Sequence, residues 1–115
     1  MRTDFPKGDL PILILTVLAD VPRHGYAIAR EIERLSAEAL KMREGSLYPA
    51  LRVLEQDGFI KGDWLIPGSG PAKKVYAITE TGQAELAKRT AEWRQYARIM
   101  NTLLGGASHE EPEST

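Results

Sequence analysis

Ser46, Tyr48 and Arg52 lie within one short segment, residues 44–58, at spacings that turn their polar groups away from an apolar stripe. Leu47, Leu51 and Leu54 recur at helical intervals and define that stripe. At about 100° per residue, Pro49, Arg52 and Gln56 fall opposite it, with Ser46 and Tyr48 on the flanks. A guanidinium on such a face can pair bidentately with a guanine edge, which discriminates by about 1–3 kcal/mol. Hydroxyls beside it suit phosphate oxygens. The competing reading for Arg52 is a solvated residue on an ordinary amphipathic helix.

The limits of this segment follow from its punctuation. Pro49 has no N–H and is expected in a first turn, which makes Ser46 the expected N-cap, and Asp57-Gly58 supplies a stop. A helix of about three turns results, whose N-terminal donors and dipole suit an anion.

Other elements must hold this helix. Asp9 introduces Leu-Pro-Ile-Leu-Ile-Leu-Thr-Val-Leu-Ala, a helix ending near Asp20 and apolar on almost every side, so it is expected to touch the core and a second surface. Residues 21–25 read as a turn into a second helix from Tyr26 to about Leu35, with Ile28, Ile32 and Leu35 as its apolar spacing and Leu40 or Met42 beneath the connection that follows. After Gly58, residues 59–66 read as a strand with Ile60, Trp64 and Ile66 on one side. Pro67-Gly68-Ser69-Gly70-Pro71 breaks it, and residues 73–79 return with Tyr76 and Ile78 on one side. A lone hairpin is marginal in water and must pack on the helices. Thr79 caps a long final helix along which Leu86, Thr90, Trp93, Ala97, Met100 and Leu104 form a heptad-type seam, widened by Tyr96, Ile99 and Leu103. Gly105-Gly106 ends it, and an acidic tail is expected to be disordered.

Composition narrows the chemistry. The 115 residues are read as one domain, of ordinary apolar (43%) and charged (27%) content, and the longest apolar run falls short of a membrane span or a signal peptide. No cysteine is present, which removes disulfides and thiolate chemistry and is compatible with a cytoplasmic location. With His24 and His109 the only histidines, the chain offers no nucleophile–base pair, metal cluster or phosphate-binding glycine loop, so neither an enzyme nor a cofactor is expected. The net charge is -1; removing Glu110, Glu111 and Glu113 leaves 13 acidic against 15 basic residues, or +2 for residues 1–106. Arg43, Arg52, Lys73 and Lys74 fall in the segments that would meet a phosphate surface.

The order helix, helix, helix, strand, glycine-rich loop, strand, long helix is that of a winged helix-turn-helix followed by a dimerisation helix, a mainly α fold with a small β-hairpin. His24-Gly25-Tyr26, the run from Glu44 to Leu51, Leu54-Glu55, Gly58-Phe59-Ile60 and the run from Tyr76 to Gly82 resemble the PadR family of transcriptional regulators, in its short subgroup with one C-terminal helix. The resemblance covers residues 10–104 and is most specific at Gly45-Ser46-Leu47-Tyr48-Pro49-Ala50-Leu51. It implies a homodimeric repressor, many of whose relatives respond to small aromatic or other hydrophobic effectors. It divides the chain into a winged helix-turn-helix at 1–79, a dimerisation helix at 80–106 packed on the same domain, and a tail at 107–115. It carries DNA reading to Ser46, Tyr48, Pro49 and Arg52, and phosphate contact to Lys73 and Lys74. His24 and Tyr26 are further candidates for phosphate, or for capping and packing. A dimer implies an inverted-repeat operator in double-stranded DNA. Trp93 then either fills the dimer core, the favoured reading, or lines an effector pocket between the small Thr90 and Ala97. A winged-helix protein-interaction module without DNA binding is the alternative function.

Overall fold

The computed structural model describes residues 3–4, by their backbone pairing, and residues 9–105. The expected tail at 107–115, with His109, and the last residue of the 80–106 segment lie outside the described residues. The elements in chain order are β1 (Thr3–Asp4), α1 (Leu10–Asp20), β2 (Arg23–His24), α2 (Gly25–Leu35), β3 (Leu40–Lys41), α3 (Glu44–Gln56), β4 (Ile60–Leu65), β5 (Lys73–Ile78) and α4 (Glu80–Leu103). Mainly helical with a small antiparallel sheet, this is the winged-helix arrangement that the pattern predicts.

The apolar helix α1 is the hub. Its Ile14 and Leu15 are fully buried, and it touches α2, α3, β5 and α4. Pro11 occupies the first turn, where its missing N–H costs nothing, while Asp9 makes no side-chain cap bond. Ile28 and Ile32 of α2, Leu47, Leu51 and Leu54 of α3, and Ile60 and Tyr76 of the hairpin complete the core.

Four local features differ from expectation. Residues 21–25 contain a strand as well as a turn: Arg23 pairs with Tyr76 and His24 with Val75, so β5 is the centre of a β2-β5-β4 sheet. The two-residue parallel pair of β1 with β3 was not signalled by any periodicity. Leu35 is 58% exposed, because α2 ends there and the core is closed instead by Met42. Trp64 shares a face with buried Ile60 but is 66% exposed, since the hairpin runs out beyond the helices, and Ile66, expected on the same face, lies past the end of β4 and is 77% exposed.

The connection into α3 is tightly specified. Ala37 and Glu38 adopt positive φ (54° and 66°), a left-handed geometry that costs non-glycine residues about 1–2 kcal/mol each. Several bonds offset this. The amide of Glu38 donates to the Glu33 carbonyl (2.8 Å), the Ser36 hydroxyl accepts from the Leu40 amide (3.2 Å), and the buried Glu33 carboxylate accepts from the Met42 amide (3.0 Å).

At the other end of the domain, the Thr79 hydroxyl donates to the Gly58 carbonyl (2.7 Å) and accepts from the Gly82 amide (3.0 Å), capping α4 as expected. A Cβ on Gly82 would collide with the backbone carbonyl of Phe59. The glycine in Thr79-Glu80-Thr81-Gly82 is therefore a steric requirement of the junction between the α3 exit and α4.

Candidate nucleic-acid interface

Helix α3 begins three residues earlier than its proline suggests. Arg43, not Ser46, occupies the N-cap position, and Pro49 lies inside the helix. The early start holds because the Arg43 carbonyl accepts from both the Ser46 (3.0 Å) and Leu47 (2.9 Å) amides. Proline then removes a single later bond from an exposed turn. One consequence is electrostatic: Glu44 occupies the first turn, which suits the helix dipole but repels the phosphate that an unobstructed N-terminus would attract. The stop is as expected. The Phe59 amide donates to Leu54 O (3.0 Å) and the Gly58 amide to Glu55 O (3.1 Å), with Gly58 at φ 81°, which is a Schellman ending.

With Leu47, Leu51 and Leu54 all at 2% exposure or less, the rotation of α3 is fixed. Ser46, Pro49 and Arg52 face outward, and Arg52 has no ion pair or side-chain hydrogen bond among the described residues. Arg43 is also exposed, immediately ahead of this face.

Tyr48 leans toward α2. An ideal Cβ on Gly25 would lie 2.8 Å from the Tyr48 hydroxyl and 2.9 Å from its ring, so the tyrosine in this position packs directly on the glycine and any side chain there would displace it. This contact begins a cleft of about 620 Å³ lined by His24, Gly25, Tyr26, Tyr48 and Trp64, together with Ala72, Lys73, Lys74 and Tyr76 of the returning arm. It gathers five residues singled out from sequence, His24, Tyr26, Tyr48, Lys73 and Lys74, and no acidic residue lines it.

Lys73 and Lys74 are placed differently from each other. Lys73 is exposed at the start of β5. The Lys74 ammonium instead donates to a Glu55 carboxylate oxygen (3.0 Å) and lies 5.4 Å from the Tyr76 ring centroid. The Glu55 hydrogen bond holds the Lys74 pKa above its ordinary value, and burial raises that of Tyr76 against the opposing charge of Lys74. Room for the folded-back lysine comes from Gly62, where a Cβ would collide with the Lys74 stem and lie 3.2 Å from the Glu55 carboxylate. Glu55, Gly62 and Trp64 were not singled out from sequence for this site. The glycine inside a strand was the available signal, since it marks a close approach.

A second concavity has an entirely different lining. Ile12, Leu13 and Thr16 of α1, Leu40, and Thr90, Trp93 and Arg94 of α4 surround an apolar groove of about 410 Å³, with Asp9 at its edge. Along the α4 seam, Leu86, Thr90, Ala97 and Met100 are partly covered, whereas Trp93 (50%) and Leu104 (75%) are exposed, as are Tyr96, Ile99 and Leu103. Among the described residues there is no group of side chains suited to hold a metal ion, and no helix is long and apolar enough to cross a membrane.

The comparisons with known proteins agree with this architecture. A family model described as the transcriptional regulator PadR-like family matches residues 14–88. A Mycobacterium tuberculosis transcriptional regulator is 30% identical over 112 residues, spanning 97% of this chain and 98% of that protein. A probable transcriptional regulator of the same organism is 35% identical over 83 residues, 72% of this chain but 44% of the longer relative. Among solved structures, a PadR family transcription regulator from Clostridium difficile superposes with a TM-score of 0.74 at 33% identity, over 84% of this chain and 99% of that one.

Proposed function

This chain belongs to the PadR-like family of transcriptional regulators, and we propose that it acts as a homodimeric, sequence-specific repressor on double-stranded DNA. The observation that carries the reading is the outer face of α3, where exposed Arg52, unpaired among the described residues, stands above a helix locked in rotation by three buried leucines. In this reading α3 enters the major groove, Arg52 pairs with a guanine edge, and Ser46, Pro49 and Arg43 adjust its approach along the backbone. Tyr48, His24 and Tyr26 border the adjacent strand, and Lys73 meets a phosphate. Lys74 serves chiefly to hold the wing against α3 through Glu55.

We assign residues 1–79 to the DNA-binding unit, 80–106 to dimerisation and 107–115 to an acidic tail. The exposed apolar run of Trp93, Tyr96, Ile99, Leu103 and Leu104 supports a dimer, because such a stripe is costly in water and self-complementary across a two-fold axis. Two recognition helices about 34–36 Å apart then require an inverted-repeat operator. The groove beside Trp93 has the size and apolar walls of a small-molecule site, which supports relief of repression by a small hydrophobic or aromatic effector at a cytoplasmic regulator. Anisotropy titration against DNA immediately upstream of the chain's own coding sequence tests the reading. Saturable binding that weakens steeply with salt is expected; a folded dimer with no salt-dependent binding would refute it.

A further inference from the structure

Trp64 is the largest side chain on the wing and the least explained by folding. Strand alternation places it on the helix-facing side of the hairpin, in line with buried Ile60, yet it is 66% exposed because no helix reaches that far. Its partner across the hairpin is Lys74, which is already held by Glu55. The indole thus forms an uncovered wall of the cleft whose other walls are Tyr26, Tyr48 and Lys73. This combination is suited to a nucleic-acid backbone: aromatic surface for the sugar and, in Lys73, a cation for the phosphate, while the nearby Glu55 carboxylate is held by Lys74.

We propose that this cleft seats one strand of the duplex, with the Trp64 indole packed against a deoxyribose and Lys73 on a neighbouring phosphate. Resting on the DNA-binding reading above, the inference makes Trp64 a sequence-independent contact that complements base recognition by Arg52. Its contribution is apolar, so it releases no counterions and leaves the salt dependence of binding unchanged.

The chain contains two tryptophans, Trp64 and Trp93, which makes a direct test practical. Uniform 5-fluorotryptophan labelling gives two 19F resonances, and Trp64→Phe identifies that of Trp64 by its loss. Titration with a mixed-sequence duplex of about 30 bp, near three turns at about 10.5 bp each, should shift or broaden the Trp64 resonance. In parallel, Trp64→Ala should weaken binding of the same duplex about 5- to 30-fold, on the order of one base-stacking contact, with an unaltered slope of log K against log salt. Trp64→Phe should retain most of the affinity, which separates loss of contact from loss of fold. A Trp64 resonance indifferent to saturating DNA, or wild-type affinity in Trp64→Ala, would overturn the inference while leaving DNA binding standing. No binding by the unsubstituted chain would overturn both.

Discussion

The pairing of Lys74 with Glu55 makes an unusual prediction for two adjacent lysines on one wing. Both side chains of the pair are about one-third exposed, 30% for Lys74 and 34% for Glu55, so solvent screening limits its net stabilisation to about 0.2–1 kcal/mol. Its larger effect is on where the charge points. The bond that raises the Lys74 pKa keeps the ammonium charged, and this contribution is lost only as pH rises through the raised value, so it is complete at neutral pH. Each phosphate contact contributes about -0.9 to the slope of log K against log salt, equivalent to about 3.5-fold in affinity between 50 and 200 mM. Lys73→Ala should therefore make the slope shallower by about 0.9. Lys74→Ala should leave it unchanged, and Glu55→Gln, which releases the neighbouring ammonium, should make it steeper by up to about 0.9. Gly62→Ala should mimic Glu55→Gln, because its new methyl displaces the lysine stem from the carboxylate. Anisotropy titrations of the four variants at several salt concentrations measure all of this. Equal losses of slope in Lys73→Ala and Lys74→Ala would refute the reasoning, since they would mean that the bridge opens in the complex.

Three further outcomes follow from the same geometry. Arg52→Ala should reduce discrimination at one operator base pair about 5- to 150-fold, the equivalent of about 1–3 kcal/mol, while affinity for mixed-sequence DNA changes little; competition titrations with single-substitution operators read this. Gly82→Ala forces a methyl onto the Phe59 carbonyl, a backbone atom that cannot rotate aside, and should destabilise the fold by about 1–3 kcal/mol in thermal unfolding. On the proposed dimer, sedimentation equilibrium should find the unsubstituted chain dimeric and the Met100→Asp, Leu104→Asp double variant monomeric with unchanged far-ultraviolet circular dichroism; a monomeric unsubstituted chain would refute the dimer, and a persistent dimer would move its interface elsewhere.

The legible parts of this fold were those encoded in short-range periodicity. Leu47, Leu51 and Leu54 announced both α3 and its rotation, and Thr79 and Asp57-Gly58 marked two helix limits correctly. Proline misled at Pro49 because its first-turn preference, worth about one lost hydrogen bond here, was outweighed by an extra N-terminal turn whose Ser46 and Leu47 amides close on the Arg43 carbonyl. Trp64 misled for a different reason. Alternation gives the face of a strand but not the point at which the opposing layer ends, so a residue correctly assigned to the inner side proved to be in solvent. The β2 strand and the Lys74–Glu55 bridge were beyond such reading because each joins segments far apart in sequence.

The position of α1 decides how a ligand in the Trp93 groove would be felt at DNA. Its Ile12, Leu13 and Thr16 face the groove, while Ile14, Leu15 and Leu18 on the same helix lie in the core that seats α3. Close-packed interiors transmit displacement rather than absorbing it. A molecule that wedged α1 from α4 would therefore act on the support of α3, the proposed recognition helix, without touching it. Its effect is bounded by differential affinity: a tenfold loss of operator binding requires the effector to favour the non-binding arrangement by about 1.4 kcal/mol, and by linkage the operator must weaken the effector tenfold in return. Measuring effector affinity with and without operator DNA gives that coupling from both sides. Equal affinities would mean that the groove, although lined by the hub helix, is energetically separate from the DNA-binding face.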